Sequence, residues 1–259
     1  MNTEKVYRTK AIVLRHSRLG EADKILTLYT PYLGKTRAIA KGILKPTSRK
    51  AGHLEVLNHS TLLMARGKNL DIVTQAQTID SFSSIRSDLN KTFAGFYASE
   101  MVDRFTEDEM PSYQTYSLLL DTLDWISEAE DPAIPLRYLE LQLLELSGYR
   151  PELNLCLRCR QPLKESTNLF SPVLGGVLCL ECGEGEDLLR REGAYYIRIS
   201  VNALKVMRFL QRSSSENAKR LQVREALMRE VESILRRYVT TVLEREVHST
   251  AFLGLARKT

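Results

Sequence analysis

One change of hydropathy period and one cysteine pattern predict an α+β multidomain chain. Residues 1–80 read as a small five-stranded β-barrel and residues 81–259 as an all-α domain, with a four-cysteine insertion at 153–188. The barrel rests on short β-type runs broken at close intervals by turn residues. The helices rest on apolar positions three and four apart, and the insertion on two Cys-x-x-Cys pairs.

The predicted strands are 6–14, 24–30, 36–43, 54–64 and 70–78. Between them lie Leu19-Gly-Glu-Ala-Asp23, Pro31-Tyr-Leu-Gly34, Lys45-Pro-Thr-Ser-Arg-Lys50 and Arg66-Gly67. β-branched and aromatic residues fill the runs, and Gly, Pro, Asp and Ser mark the breaks. Five strands with no helix-length pattern between them fit a closed or nearly closed antiparallel barrel of the oligonucleotide-binding (OB) type. After Ser81 the period becomes 3.6. Leu89, Phe93, Phe96, Tyr97, Met101 and Phe105 form one stripe. Tyr116, Leu119, Leu120, Leu123 and Ile126 form a second, and Leu136, Leu139, Leu143, Leu144 and Leu146 a third. Gly148 is placed to cap the third helix, with Pro151 beyond it. Further helices are predicted over 201–212 and from 219 to about 248, the last with the stripe Leu227, Val231, Ile234, Leu235, Tyr238 and Val242.

Composition is that of an ordinary globular protein, 43% apolar and 27% charged. No apolar run approaches the roughly 18 residues of a membrane span, and the N-terminus has no signal-peptide core, so a cytoplasmic protein without membrane contact is expected. Charge is segregated: +8 over residues 1–80, −9 over 81–155 and +6 over 156–259. Basic ends suit a polyanion such as nucleic acid; the competing reading is that the acidic middle neutralises them within the fold.

The pairs Cys156-Leu-Arg-Cys159 and Cys179-Leu-Glu-Cys182 are separated by the segment 160–178. Each turn can aim two thiolates at one ion, so the four match a zinc site. Four thiolates fill a tetrahedral sphere and leave no position for water, so the Zn2+ is expected to be structural. Pro162, Pro172, Gly175 and Gly176 suit ribbon turns between the pairs, and Gly183 is free to take a positive φ after the second. A redox Cys-x-x-Cys lacks the βαβ context it needs.

Enzyme signatures are missing. There is no GxxxxGK[ST], GxGxxG, GxSxG or HExxH. His53 and His59 lie six apart on one predicted strand, and His16 and His248 are scattered. The carboxylate runs at 107–109 and 128–131 read as solvated charge. No catalytic residue is assigned.

Candidate nucleic-acid contacts are Lys35, Arg37, Lys41, Lys45, Arg49 and Lys50, the last four within the loop 41–50, together with Arg190 and Arg191 after the cysteines. Glu225, Glu230 and Glu232 share a mixed-charge outer face of the last helix with Arg220, Arg224, Arg236 and Arg237. Tyr7, Tyr29 and Tyr32 are the only aromatics before residue 82, which makes any base-stacking platform thin. Binding dominated by phosphates, with weak sequence dependence and steep salt dependence, is expected.

The strings Gly20-Glu-Ala-Asp-Lys-Ile-Leu26, Thr30-Pro-Tyr-Leu-Gly-Lys35, Ala40-Lys-Gly42 and Ser48-Arg49 resemble the start of the RecO family of bacterial recombination mediators, and the order of barrel, helices and cysteine insertion agrees. The resemblance is specific in the barrel segment that holds these strings and looser in the helices. It implies a non-enzymatic protein of DNA repair and recombination, located in the bacterial nucleoid. Such a protein binds single- and double-stranded DNA, anneals complementary strands and, with RecR, helps RecA onto DNA coated by single-stranded-DNA-binding protein, whose C-terminal tail it docks. Metal binding is implied here because all four cysteines are present. The Lys35, Arg37 and Lys41 cluster matches the family's basic barrel face. A zinc-ribbon adaptor that binds only protein is the alternative, and a metal-dependent nuclease or deaminase is weighed down by the filled four-thiolate site.

Overall fold

In the computed structural model, residues 5–183 and 195–256 are described, with side chains as far as Glu244. The chain forms two compact units, Met1–Pro132 and Ala133–Thr259. The first unit is built on five strands: β1 (Val6–Leu19), β2 (Asp23–Thr30), β3 (Gly34–Ala40), β4 (His59–Ala65) and β5 (Asp71–Asp80). They close in the order β1-β2-β3-β5-β4, with β4 returning to β1. Strand β1 is long enough to serve both edges. Its first half pairs with β4 and its second with β2, and the register shifts between Val13 and Arg15 where the strand bends. Closure buries Ala11, Val13, Leu26, Leu28, Ala38, Leu62, Met64 and Val73 inside the barrel. The expected OB-type barrel is therefore present, but not wholly antiparallel, because β3 and β5 run parallel at Ala38–Asp71 and Ile39–Ile72.

The fourth strand begins at His59, later than the expected start at 54. A turn of 3-10 helix at Ala51–His53 and Leu57 with φ +77° use the preceding residues in a corner. His53 and His59 therefore do not share a strand. Three helices complete the first unit: α1 (Ser83–Ser87), α2 (Leu89–Phe105) and α3 (Tyr113–Glu128). The side chains of Asp88 and Ser112 cap α2 and α3, accepting from Lys91 N–H and Thr115 N–H. The expected α2 stripe is wrong in its first half. Leu89, Phe93 and Phe96 are exposed, whereas Ala94, Gly95, Ala98, Met101 and Val102 are buried. Close approach decides this, since a Cβ on Gly95 would come within 2.8 Å of Leu57.

The second unit holds α4 (Ala133–Leu146), β6 (Asn168–Ser171), β7 (Gly176–Leu178), α5 (Leu180–Gly183), β8 (Ile197–Ile199), α6 (Val201–Arg212), α7 (Ser215–Ala218) and α8 (Glu225–Ala256). Gly148 ends α4 as expected, with φ +81° and bonds from Tyr149 N–H to Leu144 O and from Gly148 N–H to Glu145 O. Buried on nearly all sides, α4 includes Arg137 and Glu140, which pair at 2.8 Å. The unit is not all-α: β7, β6 and β8 form a small sheet in that order. The last helix starts at Glu225, not 219, because Ser214 caps the separate short helix α7. Glu230 is not on a solvated face; it receives both the N–H and the hydroxyl of Ser200, the N-cap of α6. Among the described residues no helix is long and apolar enough to cross a membrane.

Candidate metal centre and nucleic-acid interface

The two cysteine pairs converge from either end of the segment 160–178. The first lies on a hairpin knuckle pinned by Cys156 N–H to Gln161 O, Arg160 N–H to Cys156 O and a Leu155–Pro162 bridge. Arg160, at φ +59°, takes the left-handed turn that lets Cys159 face back. Gly183 does not play that part after the second pair. It ends α5, where a Cβ would run into Leu169 Cδ1, so its role is close packing. Cys182 N–H and Gly183 N–H both donate to Cys179 O, which folds the second pair inward.

All four Sγ atoms lie within 4.8 Å of one another, and Cys159 Sγ is 4.0 Å from Cys179 Sγ. A tetrahedral ion with metal–sulfur bonds of about 2.3 Å needs sulfurs roughly 3.8 Å apart, so the cage fits. Electrostatics agree. Burial opposes ionisation of Cys156, but the N–H groups of Cys159, Cys179 and Arg158 outweigh it and bring the thiol down to about 6. The neighbours shift the other way. Burial pushes Cys179 up, and hydrogen bonding to Cys179 pushes Cys182 up to about 12. The Cys156 thiolate thus works against ionisation of Cys179 and Cys182, and a cation held among the sulfurs would favour their thiolate forms.

On the barrel, the outer face of β3 carries Lys35 and Arg37 toward the loop 41–50. Lys35 is only 11% exposed; its ammonium donates to Asp103 O at 2.7 Å and lies 3.4 Å from Asp103 Oδ1 and 3.7 Å from Asp108 Oδ1. Arg37 is exposed and pairs with Asp108 at 3.3 Å. Lys41, Lys45 and Arg49 are exposed on the loop. Lys50 is turned in and donates to Val73 O at 2.9 Å, and burial lowers its pKa. Of the six barrel cations named from the sequence, four therefore face solvent and two serve the fold. Arg190 and Arg191 lie outside the described residues. In the second unit Arg229, Arg236 and Arg237 line a groove of about 650 Å3 with Glu232, Glu244 and Tyr195.

Sequence reading missed one aromatic. Tyr29 is buried, and Tyr7 is tied down, its hydroxyl on Asp71 and its ring under Arg66. Tyr32, 76% exposed, stacks on Tyr113, 59% exposed, with ring centroids 6.3 Å apart. Only an aromatic heading the helix after an acidic loop marked Tyr113 in the sequence, and that signal does not point to the barrel.

Two neighbouring family models cover nearly all of the chain. Residues 1–82 match the recombination protein O N-terminal model and residues 86–251 the C-terminal model. The chain belongs to the RecO family. Full-length relatives agree. DNA repair protein RecO of Roseiflexus sp. (strain RS-1) is 42% identical over 255 residues, covering 98% of this chain and 87% of that protein. The Dehalococcoides mccartyi protein of the same name is 39% identical, covering 95% and 94%. That of Symbiobacterium thermophilum is 32% identical, covering 97% and 98%. The RecO models meet near residue 84, at the end of the barrel, whereas the compact units divide after Pro132 because α2 packs on β1 and α3 on β2.

Proposed function

We propose that this RecO-family protein is a non-enzymatic mediator of DNA repair and recombination. It binds single- and double-stranded DNA and anneals complementary strands. With RecR, it helps RecA onto DNA coated by single-stranded-DNA-binding protein, whose C-terminal tail it docks. The closed barrel with a solvent-facing run of Arg37, Lys41, Lys45 and Arg49 carries the reading. Along an extended strand the distance from Lys35 to Lys41 is about 20 Å. A duplex strand presents about six phosphates over that length at one per roughly 3.4 Å. Annealing requires that two phosphate backbones be screened together. Among the described residues, the barrel run and the arginine groove of the second unit are two surfaces that support this; Arg190 and Arg191, proposed as contacts from the sequence, lie outside the described residues.

The cysteine cage holds Zn2+ in this reading, in a structural role: when bound, the ion neutralises four thiolates and ties the two knuckles together. Cys156, Cys159, Cys179 and Cys182 are its ligands, and they leave no position for a reacting water. The test is to time the pairing of two labelled complementary single strands without nucleotide triphosphates. Acceleration by the protein is expected. DNA binding without acceleration would reduce the role to a binding module, and no retention at low salt would favour a protein adaptor.

A further inference from the structure

Resting on the nucleic-acid reading above, we infer that Tyr32 and Tyr113 form a stacking site for a single unpaired nucleobase at the β2–β3 turn. The turn is built to hold Tyr32 outward. Leu33 N–H donates to Thr30 Oγ1 at 3.0 Å, and the Thr30 hydroxyl donates to Gly34 O at 3.2 Å. Gly34 has φ +65° and presses against Met110, whose carbonyl a Cβ would strike. The loop before α3 is clamped from the other side. Glu109 N–H donates to Lys35 O at 2.8 Å, and Ser112 caps the helix that begins at Tyr113. Two loops distant in the chain are thus fixed so that both rings reach solvent in a near-parallel pair, 26° between planes.

Side by side and open to solvent, the two rings form a flat aromatic platform, and what borders it identifies the occupant. Beside Tyr32 lies a cavity of about 380 Å3 lined by Tyr7, Arg37, Arg66, Asn69, Asp71 and Asp108 among others. Its two cations are paired in place, and Glu109 adds a further carboxylate. Asp71 receives Tyr7 Oη at 2.6 Å and Arg66 at 3.2 Å, and Asp108 holds Arg37. With three carboxylates against two paired cations, this lining has no excess positive charge to attract an acidic peptide, and its polar walls do not suit an apolar one. It does suit a flat, neutral, hydrogen-bonding group attached to a backbone that runs along β3 to the exposed loop cations Lys41, Lys45 and Arg49. An unpaired base is that group. Its face lies on Tyr32, and the Asn69 amide offers a donor and an acceptor to its edge. The rings are too close to admit a base between them, so it stacks on the outer face of Tyr32.

The experiment measures the affinity of the full chain for an oligothymidine, for the same oligomer made abasic, and for a duplex. Wild type, Tyr32→Ala and Tyr32→Phe are compared. Tyr32→Ala is expected to weaken single-strand binding roughly 5- to 150-fold per base stacked. Its salt slope, its duplex affinity and its melting temperature should stay unchanged. Tyr32→Phe should retain wild-type affinity, and the abasic oligomer should bind the wild type and Tyr32→Ala equally. An unchanged single-strand affinity in Tyr32→Ala, or an equal loss on duplex, overturns the stacking site. A wild type that binds no DNA at all would instead overturn the reading on which it rests.

Discussion

Removing metal from the cysteine cage should unfold the second unit and spare the first. The other contacts between the two knuckles are individually weak or exposed: the Leu157 N–H to Val177 O bond, Arg158 to Cys182 O at 3.4 Å and the exposed Lys164–Glu181 pair at 3.3 Å. Structural zinc contributes about 10–16 kcal/mol in small domains at neutral pH, against a typical domain stability of about 5–15 kcal/mol. Loss of the ion is therefore comparable to the whole stability of the unit, not a small correction to it. The loss spreads beyond the knuckles because the module is anchored to the helices. Phe170 of β6 meets Tyr238 of α8 edge-on at 5.5 Å, Tyr238 Oη donates to Tyr149 O, and Arg208 Nε donates to Leu153 O. The barrel has its own core, so its transition should persist. The assay is thermal unfolding by circular dichroism before and after chelation under reducing conditions, with metal content measured and Zn2+ then restored. The second unit's transition should vanish on chelation and return with the ion, and Cys156→Ser should match the chelated protein. A transition that stays in place after the metal is shown to be gone would refute this reasoning.

Other perturbations separate fold from function. Lys41→Ala and Lys45→Ala should each flatten the salt dependence of single-strand binding by about 0.7 in log–log slope, measured between low and physiological salt. Lys35→Ala should instead lower the barrel's melting temperature, because its ammonium is enclosed by Asp103 and Asp108. Glu140→Ala should destabilise the second unit by about 3–5 kcal/mol in denaturant titrations, since it leaves the buried Arg137 only its longer pair with Glu232 at 3.7 Å, while an apolar replacement of both Arg137 and Glu140 should recover most of the loss. His59 is buried, and burial, with Lys10 adding to it, lowers its pKa below the ordinary 6.5. Its neutral form, 2.7 Å from Tyr116 Oη, is the folded one. The unfolded chain therefore takes up the proton first, and first-unit stability should be full above about pH 6.5 and fall as the pH drops below it. Melting temperatures from pH 7.5 to 5 should show this fall in the wild type and lose it in His59→Phe.

Much of this molecule was legible because its signals are local. Each cysteine pair sits within one turn, so spacing alone announced the cage, and Gly148 announced the end of α4. The parts that were not legible depend on distant partners. Phe93 and Phe96 have core-like spacing, but the barrel surface that α2 meets accepts only Ala94, Gly95 and Ala98, so the large side chains are left outside. The short strand β8 exists only because Phe170 and Asn168 pair with it. Tyr113 becomes Tyr32's neighbour through a backbone contact between Glu109 and Lys35 that no periodicity encodes.

The two readings of the charge segregation prove to be one arrangement divided by position. Asp103 and Asp108, from the acidic middle of the chain, pair with Arg15, Lys35 and Arg37 at the Tyr32 end of β3. At the other end no ion pair holds Lys41, Lys45 or Arg49 among the described residues. The face therefore grades from neutralised and aromatic to basic over about 20 Å of strand. A duplex offers no unstacked base face to Tyr32 and, in the proposed reading, gains along the basic end alone. A single strand can set phosphates at that end and a base on Tyr32 at the other. If the proposed stacking site holds, the same surface ranks unpaired DNA above paired DNA at equal phosphate count, which the proposed mediator of pairing needs: its hold on each strand weakens as the bases become paired.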